Sequence, residues 1–87
     1  MTTNLDAFQF PCTFPLKVMG LNTEEFSSEV KAVFRKHLGQ EPVSYSSQLS
    51  SIGKYLTLTA TFTAVSREQL DDIYKELNRH ELVKMTL

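Results

Sequence analysis

The amino-acid sequence predicts one α+β domain, a four-stranded antiparallel sheet backed by two helices. Three observations carry the prediction. Tyr55 to Ala64 alternate strictly between Leu, Ala or Phe and Tyr or Thr, the period-two signature of a strand with one buried face. Two segments repeat apolar residues at helical spacing behind residues suited to cap a helix. Two further alternating runs lie toward the ends of the chain.

The first run is Phe14 to Gly20. Phe14, Leu16 and Val18 share one face, Lys17 and Met19 the other, and Gly20 ends the strand. Pro15 is admissible near the start, where a residue need not donate to the ladder. A helix should follow, with Asn22 as cap, Glu25 three residues on, and Leu21 and Phe26 at the positions of a hydrophobic staple. Phe26, Val30, Val33, Phe34 and Leu38 form its apolar stripe. Gly39 stops it, and Lys36 and His37 lie in the last turn, where cations suit the helix dipole.

Pro42 to Gly53 is rich in Ser and Gln, with only Val43 and Tyr45 alternating; it reads as a short, exposed edge strand running into a hairpin loop. Tyr55 to Ala64 is the third strand. Ser66 and Gln69 then form a capping box, with Val65 and Leu70 at the staple positions. Leu70, Ile73, Tyr74 and Leu77 make the second apolar stripe, and Arg67, Asp71, Asp72, Lys75 and Glu76 face water. Leu82 to Leu87 closes the chain as a strand with Val83, Met85 and Leu87 inward and Lys84 and Thr86 outward.

The order β-α-β-β-α-β is the split βαβ, or ferredoxin-like, arrangement. Right-handed crossovers give strand order 4-1-3-2 with both helices on one face. The expected core is Phe14, Leu16, Val18, Phe26, Val30, Phe34, Leu58, Phe62, Ile73, Leu77, Val83 and Met85. Residues 1–12 form a lead-in that Phe8 and Phe10 tether to the domain, and residues 13–87 form the domain itself.

Composition bounds the function. Eighty-seven residues with 41% hydrophobic side chains suffice for one core without disulfides or metals. The net charge of −1 supplies no field to recruit nucleic acid or an anionic membrane. The single cysteine, Cys12, forms no intramolecular disulfide, which points to a reducing compartment. With no basic or apolar leader and no span of about 20 apolar residues, the expected location is the cytoplasm.

The chain shows no convergent catalytic set. Cys12 has no nucleophile signature around it. His37 and His80 sit near helix C-termini without matched ligand spacing, so neither a metal nor a cofactor is expected. Glu24-Glu25 and Asp71-Asp72 occupy a helix N-terminus and a solvated face. Ser50 to Lys54 lacks the spacing of a phosphate-binding loop and joins two strands; it reads as a hairpin turn in which Gly53 takes the unusual backbone angle. Domains of this topology that bind RNA stack bases on sheet aromatics, whereas here the open face offers threonines and Tyr55 alone. No enzyme, nucleic-acid or membrane function is expected.

Phe10-Pro11, Lys17-Val18-Met19-Gly20, Ser50-Ser51-Ile52-Gly53-Lys54-Tyr55, Tyr74-Lys75-Glu76-Leu77 and Val83-Lys84-Met85 give the chain a further character. In these segments, from about Phe10 to the C-terminus, it resembles the YbeD-like small bacterial proteins. The resemblance implies a fold similar to ACT-type regulatory domains and, by analogy, a regulatory role with a link to lipoate metabolism. It brings no catalytic or binding residue with it.

The expected function is therefore a regulatory or protein-interaction module without catalysis, contacting an unidentified protein partner or itself as monomer or dimer. Its site is the open sheet face around Lys17, Met19, Thr57, Thr59 and Lys84, a polar and mildly cationic surface. The alternative is a sensor of a small anionic metabolite. In ACT domains, ligands sit near the turn after the first strand at a subunit interface, and Gly20 occupies the corresponding place.

Overall fold

The computed structural model of the protein describes residues 9–87. The elements are β1 (Cys12–Leu21), α1 (Glu24–Leu38), β2 (Ser44–Leu49), β3 (Tyr55–Ala64), α2 (Arg67–Arg79) and β4 (Val83–Thr86). The sheet is antiparallel in the order β2-β3-β1-β4, as the sequence predicts. Phe8 lies outside the described residues, and Phe10 packs half-buried against the core.

β1 starts at Cys12, two residues earlier than the alternation suggests, and pairs with β3 over its whole length, Cys12 opposite Ala64 and Leu21 opposite Tyr55. Pro15 consequently lies inside a strand. It is tolerated because its nitrogen takes the side of β1 away from β3. On that side the Lys17 amide donates to the Leu87 carbonyl at 3.3 Å, and amides two residues apart point the same way. β4 ends there, so no ladder bond is lost at Pro15.

The core lies between the sheet and the helices. Phe14, Leu16, Val18, Phe26, Val30, Phe34, Leu58, Phe62, Ile73 and Leu77 are all buried, together with Val33, Leu56, Ala60 and Leu70. Phe62 is its aromatic centre, with ring centroids 6.4 Å from Phe14 and 5.8 Å from Phe34. Among the described residues no polar side chain is buried, so the interior carries no polar desolvation cost.

Two caps differ in detail from expectation. The α1 cap is Thr23, whose Oγ1 accepts from the Phe26 amide at 3.0 Å. Asn22 is committed to the sheet: its backbone amide donates to the Lys54 carbonyl at 2.9 Å, and its side-chain amide donates to the Gly53 carbonyl at 3.2 Å. Leu21 is then the end of β1, 40% exposed, and makes no staple with Phe26. At α2, the Gln69 amide donates to Ser66 Oγ at 3.1 Å, while Gln69 Oε1 accepts from the Val65 amide at 2.9 Å. Ser66 therefore caps as expected, while Gln69 reaches back to the amide one residue before the cap; Val65 itself is 56% exposed. Gly39 and Gly53 take φ of 62° and 72°, the left-handed region a stop and a hairpin turn require.

β4 corrects the sequence reading most. Val18 pairs with Thr86, Met19 with Met85 and Gly20 with Val83, so Lys84 is the extra residue of a bulge. One inserted residue reverses which face each later side chain takes. Val83 stays half-buried against the core, but Met85 and Leu87 turn to the open face and are 48% and 65% exposed. Thr86 turns toward α2, where its hydroxyl donates to Asn78 Oδ1 at 3.1 Å. The bulge falls where β1 carries Gly20. A Cβ there would overlap both the Phe26 ring and the Leu82 carbonyl. The close approach of β4 thus needs a residue without a side chain.

α1 and α2 are joined along their outer seam by two histidine–glutamate pairs. His37 Nε2 lies 2.8 Å from Glu76 Oε1, which also receives Lys36 Nζ at 3.0 Å. At the other end His80 Nε2 lies 3.3 Å from Glu29 Oε1. The hydrogen bonds from His37 and then Lys36 hold the Glu76 carboxyl below the usual glutamate range.

Candidate functional site: the open face of the sheet

The face of the sheet turned away from the helices follows from the register. Across β1, Lys17 lies between Thr59 and Leu87, Met19 between Thr57 and Met85, and Leu21 beside Tyr55. On the far side of β3, Ser44, Ser46 and Gln48 of β2 stand opposite Thr61, Thr59 and Thr57. Two halves result. The β2–β3 half is a lawn of hydroxyl and amide groups. The β1–β4 half is an apolar stripe of Leu21, Met19, Met85 and Leu87, with Lys17 set into its edge.

The residues singled out in the sequence fare unequally. Lys17, Met19, Thr57 and Thr59 lie together as expected. Lys84 is set apart from them: as the bulge residue it stands opposite no residue of β1. Gly20 is buried within β1, and its lack of a side chain is accounted for by Phe26 and the Leu82 carbonyl. The turn after β1 falls at Asn22 and Thr23 instead.

Sequence reasoning missed Leu21, Met85 and Leu87. Leu21 continues the Lys17-Met19 alternation and was legible on that ground. Met85 and Leu87 were not, because their face depends on the bulge. The face is therefore more apolar than its sequence suggests.

This surface offers van der Waals contact, the ammonium of Lys17, that of Lys54 at 5.5 Å from the centre of the Tyr55 ring, and many hydroxyls, but among the described residues no acid, base and nucleophile set. Among the described residues no group of three His, Cys, Asp or Glu side chains could hold a metal ion. Cys12 is a free, half-buried thiol. Among the same residues no helix is long and apolar enough to cross a membrane.

Fold and face together define a small ferredoxin-like domain with an open, partly apolar sheet. The solution structure of protein HP0495 from Helicobacter pylori superposes with a TM-score of 0.79 over 100% of this chain and 94% of that one, at 16% identity. The ACT domain from the GTP pyrophosphokinase of Chlorobium tepidum superposes with a TM-score of 0.61 over 86% of this chain and 94% of its own, at 9% identity. The chain belongs to the family described as protein of unknown function DUF493, which matches residues 6–87. A UPF0250 protein of Paraburkholderia phytofirmans is 42% identical over 87 residues, 99% of this chain and 98% of that protein. Another, from Chromobacterium violaceum, is 43% identical over 83 residues, 94% and 93% of the two chains. The resemblance to the YbeD-like bacterial proteins is thereby borne out.

Proposed function

We propose that the domain is a non-catalytic, cytoplasmic protein-interaction module that regulates a partner by docking through the open sheet face. The observation that carries this reading is the stripe of Leu21, Met19, Met85 and Leu87, three of them at least 40% exposed. Contiguous exposed apolar surface of this kind marks contact sites on small domains. Lys17 beside Leu87 and Thr59 adds a cation that an anionic group on the partner would meet with charge-assisted hydrogen bonds.

The test uses the full chain as bait in host lysate beside the double variant Met19→Glu/Met85→Glu, with circular dichroism confirming an unchanged fold. The expected result is a stoichiometric partner retained by the native chain and lost by the variant. Equal capture by both forms, or none by either, removes the open face as a docking surface. A doubled mass in light scattering that reverts in the variant would identify the partner as a second copy.

The likeness to an ACT domain supports a second reading, a small-metabolite sensor. Its place moves from Gly20 to the hollow of about 420 Å³ lined by Asn22, Thr23, Glu24, Ser27, Ser28 and Lys31, at the turn after β1. A thermal-shift screen of anionic metabolites separates the two readings, since a ligand that prefers the native state must raise Tm.

A further inference from the structure

The two edges of the sheet are not equally guarded. The β4 side is blunted three ways: β4 is four residues long, carries the Lys84 bulge, and leaves Pro15 facing outward beyond its end. β2 has none of these devices. Ser44–Leu49 pairs residue for residue with β3 without a register shift and contains no charge and no proline. The Ser50 amide donates to the Tyr55 carbonyl at 2.9 Å, so by alternation Tyr45, Ser47 and Leu49 direct their N–H and C=O groups away from β3. Among the described residues these groups form an unpaired edge.

The same three residues, opposite Ala60, Leu58 and Leu56, turn their side chains to the helix side of the sheet. Tyr45 meets the Phe34 ring edge-on at 6.2 Å, and Lys31 Nζ lies 5.1 Å from the Tyr45 ring centre. One helical turn on, Arg35 shares with Val43 and Tyr45 a hollow of about 190 Å³. Among the described residues neither Lys31 nor Arg35 has a carboxylate within 4.0 Å; Glu41, which lines the same hollow, lies beyond that distance. Two cations without an ion-pair partner among the described residues therefore run beside this backbone. At the far end of the strand stand Leu49 and Ile52, 53% and 80% exposed.

We propose that the free edge of β2 accepts an extended acidic segment of a partner protein as a fifth strand of the sheet, at a surface separate from the open face. Backbone groups of the segment pair with Tyr45, Ser47 and Leu49, the strand-addition mode of peptide recognition. Its helix-side carboxylates meet Lys31 and Arg35. The spacing agrees: alternate strand residues are about 6.6–6.8 Å apart, and residues four apart on a helix rise about 6 Å. An apolar residue flanking the acidic run covers Leu49. A second copy of the chain fits poorly, because a two-fold axis at the joined edge would set Lys31 and Arg35 against their own equivalents.

The probe is a blocked synthetic peptide that alternates glutamate with valine behind a leading leucine, titrated into the full chain and followed by amide NMR and fluorescence anisotropy. Saturable binding with new exchange protection at Tyr45, Ser47 and Leu49 is expected. Two control peptides, one with lysine for glutamate and one N-methylated at alternate residues, should bind at least tenfold more weakly. Ser47→Pro removes an outward amide without touching the β3 ladder and should weaken binding at least tenfold. Lys31→Glu/Arg35→Glu, on the exposed face of α1, should do the same and serves alone if the proline variant does not fold. No saturable binding, equal binding of either control peptide, or protection appearing at Lys17 and Met19 instead overturns the proposal.

Discussion

β3 and β4 flank the same central strand beneath the helices, yet the sequence describes one correctly and the other only as far as its bulge. β3 runs ten residues without a break, half-buried and buried side chains alternating from Tyr55 to Ala64. β4 runs four residues and loses step with β1 between Met19 and Gly20. Alternation tells two faces apart but not which one a strand turns inward after an inserted residue. In β3 the assignment is forced, since one face is wholly Leu, Ala and Phe and the other wholly Tyr and Thr. In β4, Val83, Met85 and Leu87 alternate with Lys84 and Thr86, and a threonine is nearly as comfortable facing a helix as facing water.

The sharpest way to break this comparison is to truncate one apolar residue on each strand. Phe62→Ala removes the ring between Phe14 and Phe34 and should cost about 3–5 kcal/mol. Met85→Ala, on the open face at 48% exposure, should stay within about 0.5 kcal/mol of the native chain. Urea denaturation at unchanged m-value measures both. Similar costs at the two sites would return Met85 to the core and abolish the bulge.

Gly20→Ala tests the cause of the bulge. The new methyl has no room between the Phe26 ring and the Leu82 carbonyl, and a substitution that overpacks a core costs about 1–3 kcal/mol. The loss should come with NMR shifts in β4 and Phe26 and none in β2. A neutral substitution would mean that β4 does not need the close approach that places Met85 outside.

What was legible follows from where local signals compete. β3, the Ser66–Gln69 cap and the left-handed turn at Gly53 were plain because each rests on one unopposed signal. The α1 cap was ambiguous: Asn22 and Thr23 both cap well, and Glu25 favoured Asn22. The choice is made by Lys54, far along the chain, whose carbonyl takes the Asn22 amide. The histidine–glutamate pairs were hidden for the same reason, since His37 and Glu76 lie 39 residues apart. The open face was half legible: Lys17, Met19, Thr57 and Thr59 follow from alternation within their own strands, whereas Met85, Leu87 and the unpaired place of Lys84 follow only from register between two. The cations beside β2 were visible as residues, but that no described carboxylate pairs with them is a property of the packed molecule.

A smaller effect tests the inverted face directly. Thr86 donates to Asn78 Oδ1 at 3.1 Å on the helix side. Thr86→Val should lose about 0.5–1 kcal/mol, the lower part of the usual range for one hydrogen bond because the pair is exposed. With Asn78→Ala, the double-mutant cycle should show coupling between the two sites. Additive effects would place Thr86 on the open face and put the register in error.

The smallest expected effect concerns Lys84, and its value lies in where the change is felt. A lysine beside Lys17 on the open face would sit among Thr59, Leu87 and Met19. A lysine in the bulge adjoins Val83, Met85 and Gly20 instead. Lys84→Gln should alter stability by no more than about 0.5 kcal/mol in either arrangement, as exposed substitutions do, so stability cannot separate them. Amide chemical shifts can. Loss of the charge should perturb Val83, Met85 and Gly20 and leave Thr59 and Lys17 unmoved, because screening by water confines a surface charge to its near neighbours. Shifts spreading to Thr59 and Lys17 would restore a two-lysine face and make charge, not the apolar stripe, the basis on which a partner is chosen.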